Sequence, residues 1–131
     1  MLLSRAAEVA LKSLPHFDPR GPDAPGHEVR VLAFACGEPA PYLAKVLQRL
    51  ARAGLLRSKR GRTGGFVLGR PASEITLADI VLAVEGAESL ETVFALPEGP
   101  AGPFLLPARN ELAARLSGTT LARLRREILV P

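Results

Sequence analysis

The sequence predicts a mainly α-helical fold with one small β-hairpin, and three observations carry that expectation. Apolar residues recur at helical spacing in several segments set apart by Pro/Gly-rich stretches. Only Leu55 to Leu68 offers two short apolar strands around a glycine-rich tip. At 131 residues, 47% of them apolar, the chain suits one domain that buries a real core.

Taken in order, Ser4 suits the N-cap of a helix over Arg5 to Leu14, whose Ala7, Ala10, Leu11 and Leu14 form an apolar stripe ended by Pro15. Pro15 to Gly26 holds four prolines and two glycines and is expected as an exposed loop. A short helix over Glu28 to Cys36 stops at Gly37, where a missing Cβ permits a left-handed turn. Its Val29, Val31, Leu32 and Phe34 are unusually apolar. After Pro39 and Pro41, Leu43, Val46, Leu47 and Leu50 follow the i, i+3, i+4, i+7 rhythm of a buried stripe. Tyr42, Lys45, Arg49 and Arg52 share another face of that helix, which Gly54 closes.

Leu55 to Ser58 and Phe66 to Leu68 then read as strands around the tip Lys59 to Gly65. Thr76 and Asp79 form a Thr-x-x-Asp capping box before Ile80, Val81, Ala83 and Val84, with Gly86 as the stop. Beyond Ser89, Pro97, Gly99, Pro100, Gly102 and Pro103 predict a second loop. Pro107 is expected to start a helix carrying Leu112 and Leu116, and Thr119 to cap a last one with Leu121, Leu124, Ile128 and Leu129.

Charge divides sharply along the chain. Ala40 to Arg70 carries eight bases (Lys45, Arg49, Arg52, Arg57, Lys59, Arg60, Arg62, Arg70) and no acid, whereas Pro71 to Pro100 carries six acids and no base. A solvated surface intersperses the signs, so this separation concentrates positive potential where phosphate is the natural partner. Helix, turn, helix and a hairpin with a cationic tip is the order of a winged helix-turn-helix. The single cysteine, Cys36, forms no internal disulfide, no signal-peptide pattern opens the sequence, and no apolar run approaches the roughly 20 residues of a spanning helix. A cytoplasmic protein without a membrane role is the expectation.

Tyr42 to Leu50, Ala53 to Gly61, Gly64-Gly65-Phe66, Glu74 to Val81 and Glu85-Gly86 together resemble the IscR/NsrR/CymR family of bacterial winged helix-turn-helix regulators. The resemblance covers Gly37 to Gly86 closely and Met1 to Leu14 less so. It implies a homodimer that binds double-stranded DNA, with a DNA-binding region over 1–86 and a linker plus dimerisation helices over 87–131, packed as one unit. Several members hold an iron–sulphur cluster through three cysteines after the position of Gly86; this chain has no cysteine there, and no cofactor is expected. Glu8, near a position where some members supply a carboxylate ligand, is expected as a solvated helix residue.

The expected DNA-binding residues are Tyr42, Lys45, Gln48 and Arg49 on the second helix of the motif and Lys59, Arg60 and Arg62 on the hairpin. Tyr42 and Lys45 suit contacts in the major groove, Arg49 and Arg52 suit phosphate or a merely solvated face, and Arg60 and Arg62 suit a narrow minor groove. Cys36 reads as a small buried residue against the alternative of a thiol sensor, and His16 and His27 as exposed imidazoles rather than metal ligands. Glu38 stands where the family prefers a buried aliphatic residue, and Ala40 replaces a polar or basic one. With Val31 and Phe34, these departures motivate a second reading: a degenerate winged-helix module that acts through protein–protein interaction. No paired carboxylates, activated nucleophile or phosphate loop indicates an enzyme. An unknown small-molecule effector in a pocket between the wing domain and the dimer helix, redox at Cys36 and no signal at all stay open.

Overall fold

The computed structural model describes residues 2–62 and 64–129; Thr63 of the expected hairpin tip lies outside the described residues. Seven helices and one antiparallel hairpin follow the order α1 (Arg5–Ser13), α2 (Val29–Cys36), α3 (Ala40–Arg52), β1 (Leu56–Lys59), β2 (Gly65–Leu68), α4 (Leu77–Glu85), α5 (Leu90–Val93), α6 (Gly102–Gly118) and α7 (Leu121–Leu129), among the described residues. Short 3-10 turns at Leu14–His16 and Ala72–Glu74 complete the path. The fold class read from the sequence, mainly α with a small hairpin in the winged helix-turn-helix arrangement, is the one observed.

The expected caps form. The Ser4 hydroxyl accepts from the Ala7 amide at 3.1 Å, and Gly37 and Gly86 end α2 and α4 in the left-handed region, at φ 70° and 65°. In the capping box the Asp79 amide donates to Thr76 Oγ1 at 3.0 Å and the Thr76 amide donates to Asp79 Oδ2 at 2.9 Å. One core gathers Leu14, Phe17, Leu43, Leu47, Leu50, Leu56, Leu68, Ile75 and Ile80, all fully buried. Each such side chain contributes roughly 1.5–3 kcal/mol by leaving water. α4 sits centrally in this assembly, packed on α1, α3, α5 and α6.

Four expectations need correction. The loop between α1 and α2 is not simply exposed: Pro15, Phe17, Gly21 and Ala24 are buried, and the Ala72 amide donates to the Pro19 carbonyl at 2.9 Å. Prolines prevent a helix there, but they do not prevent apolar side chains from filling the core. His27 is half-buried rather than exposed, with its ring 5.1 Å from that of Phe17 and its Nε2 accepting from the Asp18 amide at 2.9 Å. α6 begins at Gly102, five residues before Pro107, because the Phe104 and Leu105 amides already close a turn on the Ala101 carbonyl at 3.1 and 3.3 Å. Pro107 then sits inside the helix at the loss of one backbone hydrogen bond. Finally, Thr120 rather than Thr119 caps α7, its Oγ1 accepting from the Arg123 amide at 3.2 Å. Thr119 instead offers its carbonyl to the Leu77 amide at 2.9 Å. α5, a single turn capped by Ser89, was not expected.

A single-residue bridge adds to the two-stranded hairpin. His27, two residues before α2, exchanges both backbone hydrogen bonds with Phe66, at 2.8 and 2.9 Å, and so bridges to the hairpin from the β2 side. Gly65, at φ 123°, makes this possible, since a Cβ there would overlap the His27 carbonyl.

Candidate nucleic-acid interface

The α3 helix divides cleanly by burial. Leu43, Val46, Leu47 and Leu50 are buried, whereas Lys45, Gln48, Arg49 and Arg52 are exposed. Four basic or amide side chains thus leave one helix toward solvent, and α3 carries no acid. Tyr42 differs from the other expected residues: it is half-buried and packs against the core. Its ring lies 5.9 Å beneath the Arg5 guanidinium of α1, a cation–π distance. Arg49 and Arg52 line a groove with Glu85 and Gly86 at the end of α4, away from the first turn of α3.

Glu38, in the turn before α3, is buried and paired. Its side chain is 2% exposed; Oε1 accepts from Arg5 at 2.5 Å and Oε2 from Lys12 at 2.9 Å. The Lys12 ammonium foremost, with the Arg5 guanidinium, holds this carboxyl below its ordinary value despite burial. A buried carboxylate is tolerable only with such partners. Sequence reasoning treated Glu38 as a departure and did not find Arg5 at all, because its partners lie 33 and 26 residues away.

On the hairpin, β1 packs directly on α3. Arg60 and Arg62 are exposed at the tip, and no carboxylate of the described residues lies within 4.0 Å of either. Lys59 is otherwise engaged: its ammonium donates to the Ala24 carbonyl at 2.6 Å, which ties the hairpin to the loop before α2. Arg70, the last base of the cationic run, binds Asp79 at 3.0 Å and the Glu74 carbonyl at 2.8 Å. The cations of this run left facing solvent are therefore those of α3, Arg57 and the tip.

An iron–sulphur cluster does not fit these residues. Cys36 is the one thiol in the chain, it is 5% exposed within α2, and burial, then the Glu38 carboxylate, pushes it up from its ordinary value. Among the described residues no three His, Cys, Asp or Glu side chains gather in a metal-binding group. Glu8 is an exposed residue of α1, as expected. Val31 and Phe34 are 59% and 92% exposed on α2. No helix among the described residues is long and apolar enough to cross a membrane.

Comparison with known proteins agrees with this geometry. Residues 3–127 match the family model described as Rrf2, iron-dependent transcriptional regulator. Protein aau3 of Rhizobium meliloti is 48% identical over 63 residues, which are 48% of this chain and 41% of that protein. The transcriptional regulator IscR of Cereibacter sphaeroides is 44% identical over 59 residues, 45% of this chain and 35% of that protein. These matched segments thus span less than half of either relative. Among solved structures, the global cysteine regulator CymR of B. subtilis superposes with a TM-score of 0.80 at 24% identity, over 95% of this chain and 96% of that one. Staphylococcus aureus CymR gives 0.74 at 30% identity, over 93% and 96%. The likeness is to transcriptional regulators and not to enzymes. With nearly its whole length matched by the family model, the chain belongs to the Rrf2 family of transcriptional regulators, folded as a winged helix-turn-helix.

Proposed function

We propose that the chain is a homodimeric, cytoplasmic regulator that binds specific double-stranded DNA sites and works without an iron–sulphur cluster. The observation that carries this reading is the uncompensated cationic surface of α3 and the hairpin tip: Lys45, Gln48 and Arg49 exposed on one, Arg60 and Arg62 on the other, with β1 packed on α3. Lys45 and Gln48 read base edges, Arg49 binds phosphate, and Arg60 and Arg62 enter the flanking minor groove. Tyr42 contributes the edge of its ring, and Lys59 holds the hairpin in place through Ala24. Dimerisation uses α6 through Phe104 and Leu106, which are 83% and 38% exposed, more apolar surface than a lone helix keeps in water. Two α3 helices then address half-sites about 34 Å apart.

Salt titration of duplex binding tests the reading. With roughly 6–10 phosphates neutralised, affinity falls by about 10³ to 10⁵ between 50 and 200 mM salt. The double variant Lys45→Ala/Arg60→Ala weakens binding and flattens that slope. Wild-type affinity in the variant, or insensitivity to salt, rejects the surface. The exposed Val31 and Phe34 favour one second reading, a winged-helix module that acts by holding another protein. Selection from a random duplex library separates the two: an enriched motif with two half-sites supports the regulator, and no enrichment alongside a stable protein complex supports the module.

A further inference from the structure

A cavity of about 370 Å³ opens between α5, the turn after it and α6, with no lining residue from α3 or the hairpin. Val93, Phe94 and Leu96 form one wall and Leu105 and Leu112 the other. Arg109, in that second wall, is the one charged residue of the lining. Apolar walls with a single placed charge are the usual construction of a small-molecule site, in a range of about 300–1,000 Å³.

The charge on Arg109 is uncompensated. No carboxylate of the described residues lies within 4.0 Å of it, and its guanidinium reaches only the Asn110 amide oxygen, at a long 3.5 Å. Beside apolar walls a guanidinium attracts a carboxylate, which it binds through two parallel N–H donors. Leu105, Arg109 and Leu112 follow i, i+4, i+7 and so form one stripe of α6. Phe104 and Leu106 flank that stripe and do not line the cavity. Dimerisation through them leaves the stripe for a ligand.

We propose that this cavity binds a small apolar carboxylate of about ten non-hydrogen atoms, a size set by a volume worth about a dozen waters, with the tail between Phe94 and Leu112 and the head group on Arg109. The ligand class deepens the regulator reading and rests on it for its consequence. α5 and α6 both pack on α4, and α4 packs on α3, so occupancy reaches the DNA-reading helix through one element.

Thermal melting of the full chain with octanoate and with octan-1-ol tests the proposal. Octanoate raises the midpoint saturably, at a concentration about tenfold or more below that needed for the alcohol, as charge-assisted hydrogen bonding requires. Arg109→Gln removes the difference between the two probes, Arg109→Lys retains part of it, and Ala108→Phe, which fills the cavity, removes both responses. Equal responses to acid and alcohol in wild type, no saturation, or an undiminished preference in Arg109→Gln overturns the proposal. Sedimentation in parallel identifies the remaining rival occupant: octanoate binding that vanishes as the chain self-associates assigns the cavity to a second copy and equally overturns it. Duplex binding is measured separately. A chain that binds DNA but not octanoate loses only the ligand, whereas one that binds octanoate but not DNA loses the regulator reading and keeps the site.

Discussion

His27 and Glu38 are each held in one protonation state by their surroundings, and both make the fold sensitive to acid. The His27 Nε2 accepts from the Asp18 amide, so it must be unprotonated there, and protonation replaces an acceptor with a donor. Burial, the largest cause, pushes its imidazole below the ordinary 6.5; the facing Asp18 carboxylate opposes that shift, and Arg125 from α7 adds to it. A folded-state value below the unfolded one means that the unfolded chain takes up the proton first. The contribution is therefore complete above pH 6.5 and is lost as pH falls through the folded value. Denaturant midpoints measured from pH 7.5 to 5 should decline in wild type and decline less in His27→Gln. An equal decline removes His27 as the cause. Glu38 carries the same sign in a lower window, beneath its ordinary 4.5, where protonation releases Arg5 and Lys12. Neither pairing was legible along the chain. The imidazole reads as exposed and the acid as a mere departure from an aliphatic position until the fold brings distant partners to them.

Helices with local signals were legible to within a residue or two, because caps and apolar periodicity act over only a few residues. α4 is the clearest case, with Thr76 and Asp79 satisfying one another's backbone amides. Thr76→Ala should lower stability by about 1 kcal/mol, read from urea unfolding. A smaller effect would mean that Asp79, also bound by Arg70, keeps the helix start closed unaided. Elements without a sharp local signal were misplaced. The start of α6 was assigned to the wrong proline, since Pro103 and Pro107 are equally acceptable as a first-turn residue and only the turn on Ala101 decides between them. The bridge at His27 has no local signal, for one residue has no alternation to read, and its pairing with Phe66 spans the whole of α2, α3 and β1.

Across the whole molecule, α7 returns over the boundary expected near Gly86. Leu121 is fully buried in the core built by α1, α3 and the hairpin; its amide donates to the Ile75 carbonyl at 2.7 Å, and Arg125 donates to the Pro15 carbonyl at 3.0 Å. The last helix thus closes the body that carries α3. Leu121→Ala should cost about 2–5 kcal/mol in a single cooperative transition that also reduces DNA affinity at temperatures near the midpoint. A separate early transition, with affinity intact, would mark residues 87–131 as an independent unit. What the sequence by itself determined is whatever depends on neighbours in the chain: the helices with clear caps, the hairpin, and the cationic run from Lys45 to Arg70. Tertiary structure alone decided which of those cations stay free, because Lys59 and Arg70 are taken up by Ala24 and Asp79, 35 and 9 residues away. It also decided that Arg5 and Glu38 meet at the start of α3, since hydrogen bonds and burial act through space, and residues distant in sequence meet only when the core has formed.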